Sequence, residues 1–275
     1  MKISQFRKIV LDHYQKNGRN LPWHHTDPWG VAVSEFMLQQ TRVERVLQFW
    51  ENWMSLWPNP RSLAKAEMEE VLRAWCGLGY NRRCFYLKHT ASIIVNKYNS
   101  IIPKTSKELL ELPGVGPYMA GAIACFGYNS PEVFIETNIR SAVLHCFFPD
   151  KNDIKDKEIF PVLQAALDYC IQKGDAPKVW YYALMDYGAM LKKTGNPGRR
   201  SAHYARQSPF IGSFRQARGK VMRTLASMGP SKAEEIAIVS GLATDKLYRV
   251  LERLEKESMV AETEGVYRIK NMGLI

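Results

Sequence analysis

The sequence predicts an all-α protein that carries a small α+β domain at its C-terminus. Three observations predict it. Apolar residues recur at i, i+3 and i+4 over most of residues 1–210. Strand-like alternation is scarce before residue 255. Prolines at 58, 60, 103, 113, 131 and 149 fall between the periodic segments, where they start or end helices.

Helical periodicity runs through "FRKIVLDHY", "VERVLQFWENWMSLW", "EEVLRAWCGL" and "FYLKHTASIIVNKY" in that order. "SKELLEL", "PGVG" and "YMAGAIACF" then read as helix, glycine hairpin and second helix. "GSFRQARGK" is expected to be a connector. Beyond it, "SKAEEIAIVSGLATDKLYRVLERLEKESMVAETEGVYRI" reads as two helices separated by a glycine turn, then two short strands around Glu264-Gly265. Ser231 is the expected cap of the first of these helices, with Glu234 at the capping-box position, and Thr244 that of the second. This order is that of a winged helix-turn-helix.

The chain has 275 residues, 38 Lys and Arg against 27 Asp and Glu, and a formal charge of +11. The positive charge is concentrated: from Tyr187 to Ala233 there is no acidic residue. Such a stretch points to a polyanion partner. No run of about 20 apolar residues exists, so no membrane span is expected. The N-terminus lacks the long apolar centre of a signal peptide. These readings place the protein in the cytoplasm. The five cysteines are scattered and form no CxxC, which argues against disulfides and a zinc finger.

"LPGVGPYMAGAI", from Leu112, puts two glycines at the mouth of a helix. Glycine lets another backbone approach closely, and the helix start turns free N–H groups outward. Gly114, Val115 and Gly116 are therefore expected to hold a DNA phosphate without reading sequence. Lys192, Lys193, Arg199, Arg200 and Arg206 are expected to add phosphate contacts.

Six motifs in register, "LPW", "SEFMLQQT", "GLGY", "LPGVG", "TNIR" and "ALMDYGAM", extend from about Ser4 to Met190. On them the chain resembles the helix-hairpin-helix DNA glycosylase superfamily, and most of all its MutY-type adenine glycosylases. The resemblance implies a two-lobed helical fold: residues 21–129 in one lobe, 1–20 plus 130–212 in the other, and 216–275 in the winged-helix-like domain. It implies a monomer in the nucleoid, acting on double-stranded DNA with a mispaired or damaged base. The implied reaction flips that nucleotide out and hydrolyses its glycosidic bond, with adenine as preferred base. Thymine or uracil opposite guanine is the alternative substrate. A DNA-binding regulator on an inactive scaffold is the alternative class.

By the same resemblance Glu35, among apolar neighbours in "VAVSEFML", is the general acid. Burial would let it keep a proton near neutral pH. Glu136 stands where the family has aspartate, and would stabilise the positive charge that develops on the sugar. Asn138 would orient the two acids. Tyr118 occupies the position of the lysine that, in relatives resembling endonuclease III, forms a Schiff base; tyrosine cannot, so no strand cleavage is expected. Gln39, Gln40 and Tyr80 match wedge positions that probe the opposite base. Trp23 and Asp186 match a stacking face and an amino-group acceptor of the base pocket. MutY-type proteins carry four cysteines for an iron–sulfur cluster just after "ALMDYGAM". Here "LKKTGNPGRRSAHYARQSPFIG" has none, and no cofactor or metal is expected.

Overall fold

The computed structural model describes residues 1–206 and 208–270. Residues 271–275, the end of the expected tail domain, and position 207 lie outside the described residues. The helices before the tail are α1 (Ile3–Asn17), α2 (Pro28–Leu38), α3 (Val43–Leu56), α4 (Pro60–Lys65), α5 (Met68–Trp75), α6 (Arg82–Lys97), α7 (Ser106–Leu109), α8 (Pro117–Tyr128), α9 (Thr137–Phe147), α10 (Asp156–Gln172), α11 (Pro177–Thr194) and α12 (Phe214–Met228). The tail adds β1 (Ser231–Lys232), α13 (Ala233–Ser240), α14 (Thr244–Lys256), β2 (Val260–Thr263) and β3 (Val266–Ile269). The helical class and the small α+β tail are thus both present. No described helix is long and apolar enough to cross a membrane.

Two compact units divide the chain: Met1–Val31, Pro103–Glu111 and Val115–Arg206 form the first, and Ala32–Ile102, Leu112–Gly114 and Gln207–Ile275 the second. In the first unit, α11 packs on α9 and α1. Aromatic side chains fill that core. Phe134 stacks on Tyr181 at 4.1 Å, and Trp180 meets Phe6 edge-on at 5.5 Å. The α9–α11 crossing is close enough that a Cβ on Gly188 would lie 2.0 Å from the Asn138 carbonyl oxygen. Only glycine fits there. Helix α7 is shorter than "SKELLEL" suggests: it keeps four residues and a Thr105–Glu108 capping box. Leu112 precedes Pro113, and a residue before proline is disfavoured in the α region.

In the second unit, α3 and α5 share a tryptophan core. Trp53 meets Trp57 at 4.6 Å and Trp75 at 5.3 Å. Helix α12 packs against α5, α13 and α14. "GSFRQARGK" is therefore not a connector but largely the first turns of α12. Ser213 caps that helix, its hydroxyl accepting from the Gln216 N–H at 3.2 Å. Ala217, Val221, Met222 and Leu225 make its buried stripe. Gly219 and the flanking charges hid the pattern.

The tail sheet has the order β1-β3-β2, all antiparallel. Glu264 (φ 53°) and Gly265 (φ 77°) form the expected two-residue turn between β2 and β3. Strand β1 was not expected. It pairs Ser231 with Tyr267, and this takes Ser231 out of the capping role. Lys232 is the N-cap instead, with its N–H donating to Glu235 at 2.8 Å. Ala243, not Thr244, precedes α14 as N-cap.

Candidate active site

Helix α2 is apolar on all sides: Val31, Ala32, Val33, Phe36 and Met37 are all buried. Glu35 sits among them with 3% exposure. A carboxyl group in that setting is a carboxyl group away from water.

The end of α2 leaves carbonyls without helical partners. Arg83, near the start of α6 and itself buried, supplies the donors. Its Nη1 reaches the carbonyl oxygens of Phe36 (3.0 Å), Met37 (2.7 Å) and Gln39 (2.5 Å). Its Nη2 reaches Thr41 Oγ1 (3.0 Å) and the Gly79 carbonyl (2.8 Å). The guanidinium also lies 5.4 Å from the Tyr80 ring. Burial pushes it down to about 10, still cationic at neutral pH. One side chain thus ties the end of α2 to the "GLGY" loop, and so brings Gln39 and Gln40 to Tyr80. Gln40 (φ 55°) and Tyr80 (φ 49°) both hold left-handed backbone, which costs energy in a non-glycine residue and is kept where surroundings enforce it. Sequence reading missed Arg83, because nothing in "NRRC" separates a clamp from a surface charge.

The two hairpin glycines differ. Gly114 has φ 76°, and a Cβ there would lie 2.5 Å from the Tyr86 side chain. Its carbonyl accepts from Gln39 Nε2 at 3.4 Å. Val115 is buried. Gly116, the N-cap of α8, has open space where its Cβ would be. An outside backbone has room to approach at Gly116.

Tyr118, in the first turn of α8, is half-buried with its ring edge-on to Phe134 at 5.9 Å. Glu136 is the N-cap of α9. Its Oε1 accepts from the N–H groups of Asn138 (2.6 Å) and Ile139 (2.8 Å). Oε2 accepts from Thr137 Oγ1 at 3.1 Å, and that hydroxyl accepts from Lys192 Nζ at 2.7 Å. Burial pushes the Lys192 ammonium down, and the Glu136 charge pulls it back up. The longer side chain of glutamate thus still reaches the cap donors that an aspartate would take. Asn138 enters this site through its N–H.

Trp23 is buried on a 3₁₀ turn, Pro22–His25. The adjacent His24 stacks on Tyr182 at 3.7 Å, and burial pushes it down to about 4. Asp186 is buried, and both its oxygens are engaged by Arg19: Oδ2 by the N–H at 2.7 Å and Oδ1 by Nε at 2.6 Å.

The basic stretch divides in the same way. Lys193, Arg199 and Arg206 are exposed. Arg200 instead donates to the Leu144 carbonyl (2.8 Å) and to that of Pro149, binding its segment to the end of α9. Lys192 serves Glu136 through Thr137. This segment is where the resemblance implies a cluster, and its donor set does not fit one. No cysteine follows Cys170. No group of three or more His, Cys, Asp or Glu among the described residues is arranged to hold a metal. Backbone hydrogen bonds hold the segment: the Ile154 N–H donates to the Arg200 carbonyl at 3.1 Å and the Ala202 N–H to that of Ile154 at 3.0 Å, and Gly198 lies so close to Ser141 that a Cβ there would be 2.9 Å from its Oγ.

Comparison with known proteins decides the family. Residues 33–165 match the model of the HhH-GPD superfamily base excision DNA repair protein. The chain is 33% identical to an adenine DNA glycosylase of Mycobacterium tuberculosis over 285 aligned residues, covering 96% of this chain and 93% of that one. The chain belongs to the HhH-GPD superfamily of base excision DNA repair proteins. The human adenine DNA glycosylase is 36% identical over 148 residues, half of this chain and 27% of the human one. Among solved structures, a thermostable thymine-DNA glycosylase shares the fold, with TM-score 0.59 and 22% identity over 68% of this chain and 88% of that one.

Proposed function

We propose that this protein is a monofunctional DNA N-glycosylase that removes adenine from a mispair. The observation that carries the reading is Glu35, a carboxylic acid 3% exposed in an apolar helix of a base excision repair protein. DNA backbone binding alone gives no reason to bury an acid; protonating a leaving base does. In the proposed reaction Glu35 gives its proton to adenine N7 as the C1′–N9 bond breaks. Glu136, whose carboxylate accepts from two N–H groups and from the Thr137 hydroxyl, stabilises the sugar cation. Water adds to C1′ and its proton returns to Glu35, leaving an abasic sugar and free adenine. Tyr118 has no amine with which to form a Schiff base, so the strand stays intact. Gln39, Gln40 and Tyr80 act as the wedge on the opposite base. The full-length relatives named adenine DNA glycosylase support adenine as the base removed. The reading needs no iron and no second subunit, and puts the protein on chromosomal DNA in the cytoplasm.

The test is a single-turnover panel of duplexes with adenine opposite guanine, adenine opposite 8-oxoguanine, thymine opposite guanine and uracil opposite guanine, products identified by mass spectrometry. Release of adenine without strand cleavage is expected. Release of thymine or uracil alone would replace the substrate, and no release from any duplex would leave the inactive-scaffold reading standing.

A further inference from the structure

Within the second unit, α12 and the end of α14 face the "GLGYNRR" segment across a cavity of about 900 Å³. Its walls hold seven arginines and a single acid, Glu257. Three of the arginines converge on that acid. Arg82 reaches its carboxylate at 3.0 Å and Arg253 at 2.7 Å, and Arg218 bonds the second oxygen. Arg83 is committed to carbonyls, as described above. Arg215 lies between two rings, 5.4 Å from Tyr80 and 5.5 Å from Phe210, and donates to the Tyr80 hydroxyl. Arg45 lies over Phe49 at 4.9 Å, and Arg223 is exposed on α12.

One carboxylate cannot neutralise seven guanidinium groups, so the cavity favours an anion. Its volume suits a ligand larger than a lone ion. Aromatic faces interleaved with arginines suit a base attached to a phosphate. The outward side of the tail is mixed in charge, with Arg249 and Arg268 exposed on it beside several acids. On α14, Asp245 and Glu252 are exposed, and Lys256 pairs with Glu252. The β2–β3 turn exposes Glu262 and Glu264. A groove-reading helix and wing would bring those acids to the phosphates together with its arginines.

We propose that this cavity is a nucleotide-binding site for one strand of the DNA substrate, closed by α12, and that the tail meets DNA here rather than by inserting α14 into a groove. Phosphate oxygens go to Arg45, Arg218 and Arg223. A base stacks against the Tyr80–Arg215–Phe210 assembly. Glu257 holds its three arginines in place when no strand is bound. The shared chemistry is a phosphate ester bearing a base, and a DNA strand is the source in a DNA repair protein of charge +11. The proposal rests on the DNA-repair reading of the chain but not on which base is excised.

The experiment measures anisotropy of a labelled duplex carrying a stable abasic-site analogue, at several salt concentrations, with the full-length protein. Excision is assayed separately, so loss of the glycosylase reading would leave the binding result intact. Arg45→Gln with Arg223→Gln should flatten the slope of log affinity against log salt by about 1.8, at about 0.9 per phosphate contact. Arg249→Gln with Arg268→Gln, the same charge change on the outward face, should leave it unchanged. Phe210→Ala should weaken binding about tenfold through lost stacking; its side chain is half-exposed, so the fold should persist. If the double cavity variant melts early, Arg223→Glu alone, at an exposed site, repeats the test. Equal slope changes from both pairs, or none from the cavity pair, would overturn the proposal. So would a rise in melting temperature with deoxyadenosine monophosphate that needs the cavity arginines while duplex binding does not; that result assigns the cavity to a free nucleotide.

Discussion

Glu35 and Glu136 are both carboxylates, held in opposite ways. Glu35 is buried in mid-helix among apolar residues. Glu136 takes two backbone N–H groups at a helix start. Glu35→Gln keeps the size and removes the proton, so excision should fall between a hundredfold and ten-thousandfold while duplex affinity stays near wild type. A rate within a few-fold would take Glu35 out of the mechanism. Glu136→Asp should melt like the wild type, since aspartate is a good N-cap. It should nevertheless slow excision, because the carboxylate is drawn back. Glu136→Gln should slow it about a thousandfold. A faster aspartate variant would mean that the site has not adjusted to the longer side chain. His24 gives a prediction in pH. Burial beside Tyr182 holds it at about 4, opposed by Asp186 and helped by Arg19 and His25. Its folded value lies below the unfolded one of about 6.5, so the unfolded chain takes the extra proton. The stability tied to His24 is full above pH 6.5 and is lost as pH falls from there toward 4, by on the order of 2–3 kcal/mol. His24→Phe keeps a ring on Tyr182 and should lose less melting temperature than the wild type between pH 7 and 4.5. Equal losses would mean that His24 does not set the acid limb.

At the scale of elements, the hairpin before α8 separates two uses of glycine. Gly114→Ala meets both a positive φ and the Tyr86 side chain, so it should destabilise the fold by about 1–3 kcal/mol. Gly116→Ala meets nothing within 4 Å and has an ordinary φ, so melting should hardly change. If a phosphate lies against this helix start, the added methyl occupies its approach, and duplex affinity should fall about tenfold or more. Unchanged affinity would move the phosphate elsewhere. The end of α2 depends on Arg83 in a comparable way. Arg83→Met leaves several buried carbonyls without donors, each worth about 1–3 kcal/mol. It should lower the melting temperature sharply.

For the whole molecule, the segment after α11 is held by Arg200, by the Ile154–Ser201 pairing and by Gly198 on Ser141. Purified protein should accordingly be colourless, contain no stoichiometric iron, and melt at the same temperature with and without a chelator. Arg200→Ala should lower that temperature, because the Leu144 and Pro149 carbonyls lose their donor. Iron in equal amount with visible absorbance would show that thiols elsewhere in the chain hold a cluster.

Periodicity, proline placement and the Glu264-Gly265 turn determined the helical class and the tail without any structure, because each is a short-range property of the chain. The apolar run around Glu35 was likewise enough to mark a buried acid. Contacts between distant residues decided the rest. The sequence shows Arg83, Arg200 and Lys192 as three similar cations; folding makes one a clamp on α2, one a brace on α9 and one a support for Glu136. Gly114 and Gly116 look alike in "PGVG" until Tyr86 lies against one of them. The Ser231 side chain meets every local rule for a cap and is overruled by its pairing with Tyr267. Nor did "GSFRQARGK" announce a helix, since the stripe that buries it has value only once α5, α13 and α14 are there to receive it. Local sequence sets which backbone states are cheap, but the partner of a charge or of a small residue is fixed only when the chain has brought it near.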